Sequence, residues 1–296
     1  MKERKFIIFI NPVSGTEDKS GARNYLEKKL SEKKFFYQIL SAEKSGKYDF
    51  LHNKIDAEGI TDIIICGGDG TVNQVVSSVT GIKINIGIIP MGSGNGLAFA
   101  AGIPKDFKKA IKVILAGKGV YTDAFLINGK FSCMLCGLGF DAQVAHEFAG
   151  QAKRGLSEYI KQTVKHFFQA QPYPFQIKAN GTIINTEAFF ISIANSNQFG
   201  NHFTIAPKAS LSDGLLDIVI VNKTGKFNLI LKILNQVRKG KIVNADALQK
   251  TVHYFQTKKM TVSNPSQAPL HIDGEAAETS AYFEIAVLPK AFYLLQ

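Results

Sequence analysis

The residues best suited to chemistry lie in the stretch Ile63-Ile64-Ile65-Cys66-Gly67-Gly68-Asp69-Gly70-Thr71-Val72-Asn73. Gly67, Gly68 and Gly70 let the backbone approach an anion closely, and a helix starting beyond them aims its free amides at it. Asp69 repels phosphate unless a divalent cation stands between them or the carboxylate polarises an attacking hydroxyl. Taken alone, such a turn reads equally well as a tight loop whose Asp caps a helix. Two other turns of small residues shift the balance. Asn11-Pro12-Val13-Ser14-Gly15 and Pro90-Met91-Gly92-Ser93-Gly94-Asn95-Gly96 each follow an apolar run.

The elements that must position these turns follow from hydrophobic periodicity. Residues 5–10 and 63–65 read as buried strands and 35–40 and 83–89 as further strands; 21–30, 48–57, 72–79 and 107–116 read as helices, with Ala22, Leu26 and Leu30 on one face of the first. Alternating strands and helices predict a mostly parallel sheet covered on both sides. In such a sheet the carboxyl ends of the strands share one edge, where ligands bind. Asn11, Ser14, Asp69, Thr71, Ser93 and Asn95 therefore converge despite their separation in sequence.

The pattern changes after about residue 120. Strands are predicted over 121–127, 131–136, 175–179, 187–194, 215–221, 251–256, 259–262, 270–272 and 281–288. Asn128-Gly129 and Asn180-Gly181 are hairpin dipeptides. Two helical stretches, 156–170 and 227–240, interrupt them. The expectation is an α/β unit over 1–120 and a β-rich, antiparallel unit over 121–288. Spacing alone leaves the placement of 289–296 open.

Composition restricts the partners. The 296 residues carry 35 basic and 24 acidic side chains, a formal charge of +11. That balance suits nucleic acid, an acidic membrane surface or a phosphorylated ligand, and it equally suits a merely soluble surface. No apolar run reaches the ~18 residues that span a bilayer, and the apolar N-terminal stretch is too short for a secretory signal. The expected location is the cytoplasm. Cys66, Cys133 and Cys136 form no disulfide framework. The last two have C-x-x-C spacing inside an apolar run, with no second pair, and read as buried thiols rather than zinc or redox ligands. Lys153-Arg154 reads as solvated surface charge or a phosphate or membrane contact.

The P-loop pattern, the protein-kinase motifs and a dinucleotide fingerprint after the first strand are all absent. What remains is a phosphate site of amides, small hydroxyls and one carboxylate, which suits phosphoryl transfer. A transferase also needs a base near the accepting hydroxyl. Leu211-Ser212-Asp213-Gly214-Leu215-Leu216-Asp217 and His271-Ile272-Asp273-Gly274-Glu275 supply acids around a glycine. Glu275, Asp273 and Asp69 are all candidates, although Asp-Gly is by itself a hairpin signal. His271 reads as a strand residue.

In order along the chain, Asn11-Pro12-x-Ser14-Gly15, Gly67-Gly68-Asp69-Gly70-Thr71 with Asn73, Pro90-x-Gly92-Ser93-Gly94-Asn95 with Ala98, Gly139-Phe140-Asp141-Ala142, Asp213-Gly214-x-Leu216-Asp217 and Asp273-Gly274-Glu275 form a set. It resembles the diacylglycerol kinase catalytic-domain family, which includes bacterial soluble lipid kinases and sphingosine kinases. The resemblance implies an N-terminal α/β domain of the NAD-kinase and phosphofructokinase type, a C-terminal antiparallel β-sandwich domain, and a last segment that returns to the first domain. It implies an ATP-dependent lipid kinase. Nucleotide contacts fall on Asn11, Pro12, Ser14, Gly15, Gly67, Gly68, Asp69, Gly70, Thr71, Asn73, Gly92, Ser93 and Asn95, with Ser41 as the counterpart of a nucleotide-contacting threonine. Glu275 would be the general base. Mg²⁺ would be held by Asp213 and the carbonyls of Ser210 and Leu215, while Asp69 would hold the Mg²⁺ of the nucleotide or help activate the hydroxyl. Gly96 stands where bacterial members usually carry an acid, and Ser41 precedes Gly46 by one residue more than usual. A lipid substrate and peripheral contact with an anionic membrane are implied, with no nucleic acid; a homodimer stays open. The competing readings are a soluble NAD or sugar-phosphate kinase and a non-catalytic lipid or nucleotide sensor.

Overall fold

The structure is a computed structural model that describes residues 3–12, 14–15, 19–42, 46, 48–148, 167, 170–198, 204–223 and 252–296. The helices expected over 156–170 and 227–240, apart from residues 167 and 170, and the Lys153-Arg154 pair lie outside the described residues.

The first half alternates as the periodicity predicts. Strands β1 (Lys5–Ile10), β2 (Phe36–Ser41), β3 (Asp62–Gly67) and β4 (Asn85–Pro90) pair in parallel in the order β4-β3-β1-β2. Helices α1 (Lys19–Glu32), α2 (Phe50–Glu58), α3 (Asp69–Ser78), α4 (Gly96–Ala100) and α5 (Phe107–Ala116) connect them. Successive strand residues point to opposite faces. Ile7, Phe9, Ile63 and Ile65 pack with Leu51, Ile55, Val72 and Val75. Phe6, Ile8, Ile64 and Cys66 pack with Ala22, Leu26, Leu30, Ile111 and Ile114. Burial on both faces is why β1, β3 and β4 read as apolar runs, whereas β2, at the end of this order, is half-exposed.

The second half contains β5 (Gly119–Ile127), β6 (Lys130–Ser132), β7 (Leu135–Gly139), α6 (Phe140–Phe148), β8 (Tyr173–Ala179), β9 (Thr182–Ala194), β10 (Leu216–Asn222), β11 (Val252–Thr257), β12 (Lys259–Ser263), β13 (Leu270–Ile272), β14 (Glu275–Ala277) and β15 (Tyr282–Leu295). Its strands pair antiparallel as a β-sandwich around Phe125, Leu138, Ile177, Ile191, Ile218, Val262 and Phe283. Asn128-Gly129 and Asn180-Gly181 adopt positive φ at both positions, the geometry that lets two-residue hairpins follow strand twist.

Strand β15 ties the halves together. It runs antiparallel to β12 and β5, and its last residues pair in parallel with β4 through Tyr293↔Asn85 and Leu294↔Ile86. Its register shifts between Leu288 and Phe292, where Lys290 takes φ 53°. Buried Asp123 on β5 fills that irregularity. It accepts the Lys290 N–H at 2.7 Å and the Gly214 N–H at 2.7 Å.

Three sequence readings need correction. The strand expected over 131–136 breaks into β6 and β7, because the amides of Cys133 and Met134 turn toward a buried carboxylate, that of Asp273. Helix α3 begins at Asp69 rather than at Val72, which puts the carboxylate in its first turn. Helices α4 and α6 and the short β14 were not anticipated, since elements of three to nine residues give too few periods to detect. The cysteines are free and buried, as expected. Among the described residues no helix is long and apolar enough to cross a membrane.

Candidate functional site

The three small-residue turns meet at the carboxyl ends of β1, β3 and β4. Their glycines are required by close approach. A Cβ on Gly92 would lie 2.5 Å from the Gly68 Cα, and one on Gly15, where φ is 58°, would lie 2.0 Å from the Met91 carbonyl oxygen. The turns thus pack backbone against backbone, and no side chain fits between them. Asn11 donates its side-chain amide to Thr71 Oγ1 at 2.7 Å, and the Ser14 hydroxyl donates to the Asn11 carbonyl at 3.3 Å. Ser41 ends β2 beside Ile10, so it lies on the same edge. Pro12 and Ser93 are exposed there. Asn95 takes φ 54° and spends its side chain on its own turn, accepting from Gly92 N–H at 2.8 Å and donating to the Gly92 carbonyl at 2.7 Å.

Asp69 joins the second turn to the third. Its Oδ2 accepts the Gly96 N–H at 3.1 Å and its Oδ1 the Leu97 N–H at 3.4 Å, both at the start of α4. The absence of a side chain at Gly94 is needed here too, since a Cβ would come within 2.9 Å of Asp69 Oδ2. Desolvation by burial pushes the Asp69 carboxyl up from the ordinary 3.8 to about 6, the two amides oppose that rise, and the nearby Asp273 charge adds to it.

The Asp273-Gly274 turn arrives from the second half. Asp273 takes φ 49° and Gly274 φ 86°, closing β13 onto β14 with Ile272 opposite Glu275. The Asp273 carboxylate is saturated. Its Oδ1 accepts the Ser132 hydroxyl at 2.6 Å and the N–H groups of Met134 and Leu135 at 3.1 and 2.9 Å. Its Oδ2 accepts the Asn73 amide at 2.7 Å, the Cys133 N–H at 3.1 Å and the Cys133 thiol at 3.5 Å. Asn73, on α3, also donates to the Phe131 carbonyl at 3.2 Å. Asp273 is therefore an anchor with no lone pair to spare for a substrate proton. Glu275, two residues on, is exposed. A Cβ placed on Gly70 would lie 3.4 Å from Glu275 Oε1. The carboxylate of the second half thus reaches the glycine turn of the first.

The other acidic pair separates. Asp217 lies buried on β10, where it accepts the Tyr254 hydroxyl, and burial raises its carboxyl pKa. Asp213 is exposed in the preceding loop, its Oδ1 accepting the Leu215 N–H at 3.0 Å. The oxygens named above for Mg²⁺, the Asp213 carboxylate and the carbonyls of Ser210 and Leu215, are hard donors of the kind a hard cation takes. Among the described residues no three His, Cys, Asp or Glu side chains cluster as metal ligands. Asp123, Ser132 and Asn195 were missed by sequence reasoning. Asn195 donates to the carbonyls of Asp123 and Cys133 at 2.8 and 3.1 Å. For Asp123 a signal existed, because a lone acid within an apolar strand needs a buried partner.

Two outcomes follow. Asp273→Ala orphans the buried amides of Cys133, Met134 and Leu135. At about 1–3 kcal/mol for each unsatisfied group, it should lower unfolding free energy by several kcal/mol in urea titration, whereas Glu275→Gln should leave it unchanged. For Asp69 the folded pKa exceeds the unfolded one, so its contribution is fully present below pH 3.8 and is lost as pH rises through about 6. Metal-free Asp69→Asn should lack that decline and exceed the wild type in stability at pH 7; parallel pH–stability curves for the two proteins would contradict this.

The family model of the diacylglycerol kinase catalytic domain matches residues 5–127, and that of the YegS C-terminal NAD kinase beta sandwich-like domain matches residues 135–296. A diacylglycerol kinase of Staphylococcus carnosus is 26% identical over 279 residues, covering 93% of this chain and 89% of that protein. A probable lipid kinase YegS-like protein of Shewanella frigidimarina is 26% identical over 259 residues, covering 85% and 81%. A crystal structure of a diacylglycerol kinase from Bacillus anthracis superposes with a TM-score of 0.78 at 20% identity, covering 100% of this chain and 97% of that one, which shows a shared fold. The first model takes in the three glycine turns and the second the hairpin that carries Glu275, and on both counts the chain belongs to the diacylglycerol kinase catalytic-domain family of lipid kinases.

Proposed function

We propose that the protein transfers the γ-phosphoryl group of ATP to the hydroxyl of a lipid such as diacylglycerol or a sphingoid base. The observation that carries this reading is the approach of Glu275 Oε1 to Gly70, which sets a free carboxylate from one half over a phosphate-type turn of the other. ATP would lie on the edge formed by residues 11–15, 67–73 and 92–95, with Ser41 beside it. The amides of the second turn and the start of α3 would receive phosphate oxygens. Asn73 and Asn95 would serve this site indirectly, by fixing α3 to Asp273 and by holding the third turn.

Glu275 takes the proton of the lipid hydroxyl as its oxygen bonds to the γ-phosphorus, and the bond from that phosphorus to the β-γ bridging oxygen breaks to release ADP. Positioning and charge stabilisation supply most of the rate in such transfers. Asp69 would hold the nucleotide's Mg²⁺, and the Ser210, Asp213 and Leu215 oxygens a second, structural one. Bound Mg²⁺ neutralises charge on the phosphates. The saturation of Asp273 and the free carboxylate of Glu275 favour Glu275 as the base. A soluble NAD or sugar-phosphate kinase shares the Gly-Gly-Asp-Gly turn but not the accompanying motifs.

The direct test is incubation of lipid extracts with labelled ATP and Mg²⁺, with products identified by mass spectrometry. Labelling of soluble NAD or sugar phosphates instead of a lipid would overturn the reading. Glu275→Gln should cut turnover about 10²–10⁴-fold and leave ATP affinity within about threefold, and Asp69→Asn should cost about 10²-fold or more. Loss of ATP affinity together with rate in Glu275→Gln would move Glu275 to the nucleotide site.

The +11 charge favours peripheral contact with an anionic bilayer, and such attraction is screened over about 8 Å at physiological salt. Cosedimentation with anionic vesicles should fall as salt rises, and equal binding to neutral vesicles at every salt concentration would refute the contact.

A further inference from the structure

Beneath the Glu275 hairpin lies a buried acid–imidazole pair that the reaction above does not use. Asp141, in the first turn of α6, and His271, on β13, are both buried, with Oδ2 and Nε2 3.5 Å apart. Asp141 Oδ1 accepts the Ala142 N–H at 2.8 Å. On the other side of the ring, His271 Nδ1 accepts the Gly274 N–H at 3.3 Å. With Nδ1 the acceptor, the ring proton sits on Nε2 and faces the carboxylate.

The surroundings are shaped for this pair. His271 stands opposite Gly137 in the β13–β7 register. A Cβ on Gly137 would lie 2.0 Å from Asp141 Oδ2 and 2.4 Å from His271 Nε2. The glycine leaves room for the two polar groups. Taking an acid and an imidazole out of water is costly, and apolar residues of similar volume pack such places at no loss. The polar pair therefore calls for a task, and His271 touches the turn before Glu275. A two-residue hairpin pairs its flanking residues but leaves the second central amide outside the ladder. Here that amide belongs to Gly274, and the ring of His271 receives it.

We propose that Asp141 and His271 are positioning residues, which hold the Asp273-Gly274 turn so that Glu275 is presented to the lipid hydroxyl. The inference rests on the proposed role of Glu275. Asp141 fixes the ring orientation, the ring fixes the Gly274 amide, and that amide fixes where the next side chain leaves the backbone. Asp273 anchors the same turn from its carboxylate side. The turn is held at two adjacent residues, and the freedom that remains belongs to the Glu275 side chain.

The test compares His271→Leu, which removes both ring nitrogens, with His271→Asn, which restores an acceptor near the position of Nδ1. Each full-length variant is assayed with ATP, Mg²⁺ and diacylglycerol mixed micelles, alongside nucleotide titration and hydrogen exchange at the Gly274 amide. In His271→Leu, kcat should fall about 10–100-fold, the range for lost orienting partners, with ATP affinity unchanged and Gly274 exchange accelerated. His271→Asn should recover most of the rate and the protection. A merely structural role predicts losses that follow thermal stability, with no recovery by Asn. Normal kcat in a folded His271→Leu, or unaltered Gly274 exchange, overturns the proposal. If His271→Leu does not fold, Asp141→Asn decides, because it keeps the shape and removes the charge; faster Gly274 exchange with reduced kcat supports the pair and wild-type values overturn it. Failure of the wild type to phosphorylate any lipid would defeat the kinase reading, while Gly274 exchange would still decide whether the ring holds the turn.

Discussion

The Asp273 carboxylate is the point on which the arrangement depends. It is buried, and a buried carboxylate is costly unless its oxygens are satisfied. The donors that satisfy it come from α3, from the chain between β6 and β7, and from Ser132. Charge-assisted bonds of this kind are about twice as strong as neutral ones. They break the strand at Cys133 and Met134, and they fasten the first half to the second through Asn73. They also fix the hairpin whose next acid is Glu275. Removing the charge would leave donors from three segments facing one another.

A second carboxylate, Asp123, does similar service further along the sheet. It accepts amides from the β15 irregularity and from the loop that carries Asp213. The strand that returns to β4 and the loop with the proposed metal oxygens therefore share one anchor. These two acids bind backbone, whereas Asp69 and Glu275 face the place where the turns meet. The division follows from donor supply: an acid surrounded by amides is spent on structure, and an acid with few donors remains available for chemistry. Asp69 is intermediate, since two amides hold it while burial and the Asp273 charge oppose its ionisation.

Much of this was legible in the chain itself. The three glycine turns stand out because close backbone approach permits only glycine, a local requirement visible in residue type. The parallel sheet was legible because burial on both faces demands unbroken apolar strands, as in Ile63-Ile64-Ile65. Asn128-Gly129 and Asn180-Gly181 announced their hairpins because positive φ at both positions excludes most other residues. Burial of Cys133 and Cys136 followed from their apolar setting.

What residue type and spacing did not reveal is how these acids differ in their surroundings. Asp69, Asp273 and Glu275 are chemically alike, and their sequence contexts are all Gly-rich. Only the folded molecule brings Asn73, Ser132 and the amides of 133–135 onto Asp273, and it leaves Glu275 beside Gly70. The same holds for His271, which its strand pattern marks as an ordinary core position and which packing sets against Asp141. Periodicity and turn chemistry are properties of neighbouring residues and can be read from them. The supply of hydrogen-bond donors around a buried acid depends on segments as many as 200 positions away, and tertiary structure alone assembles it.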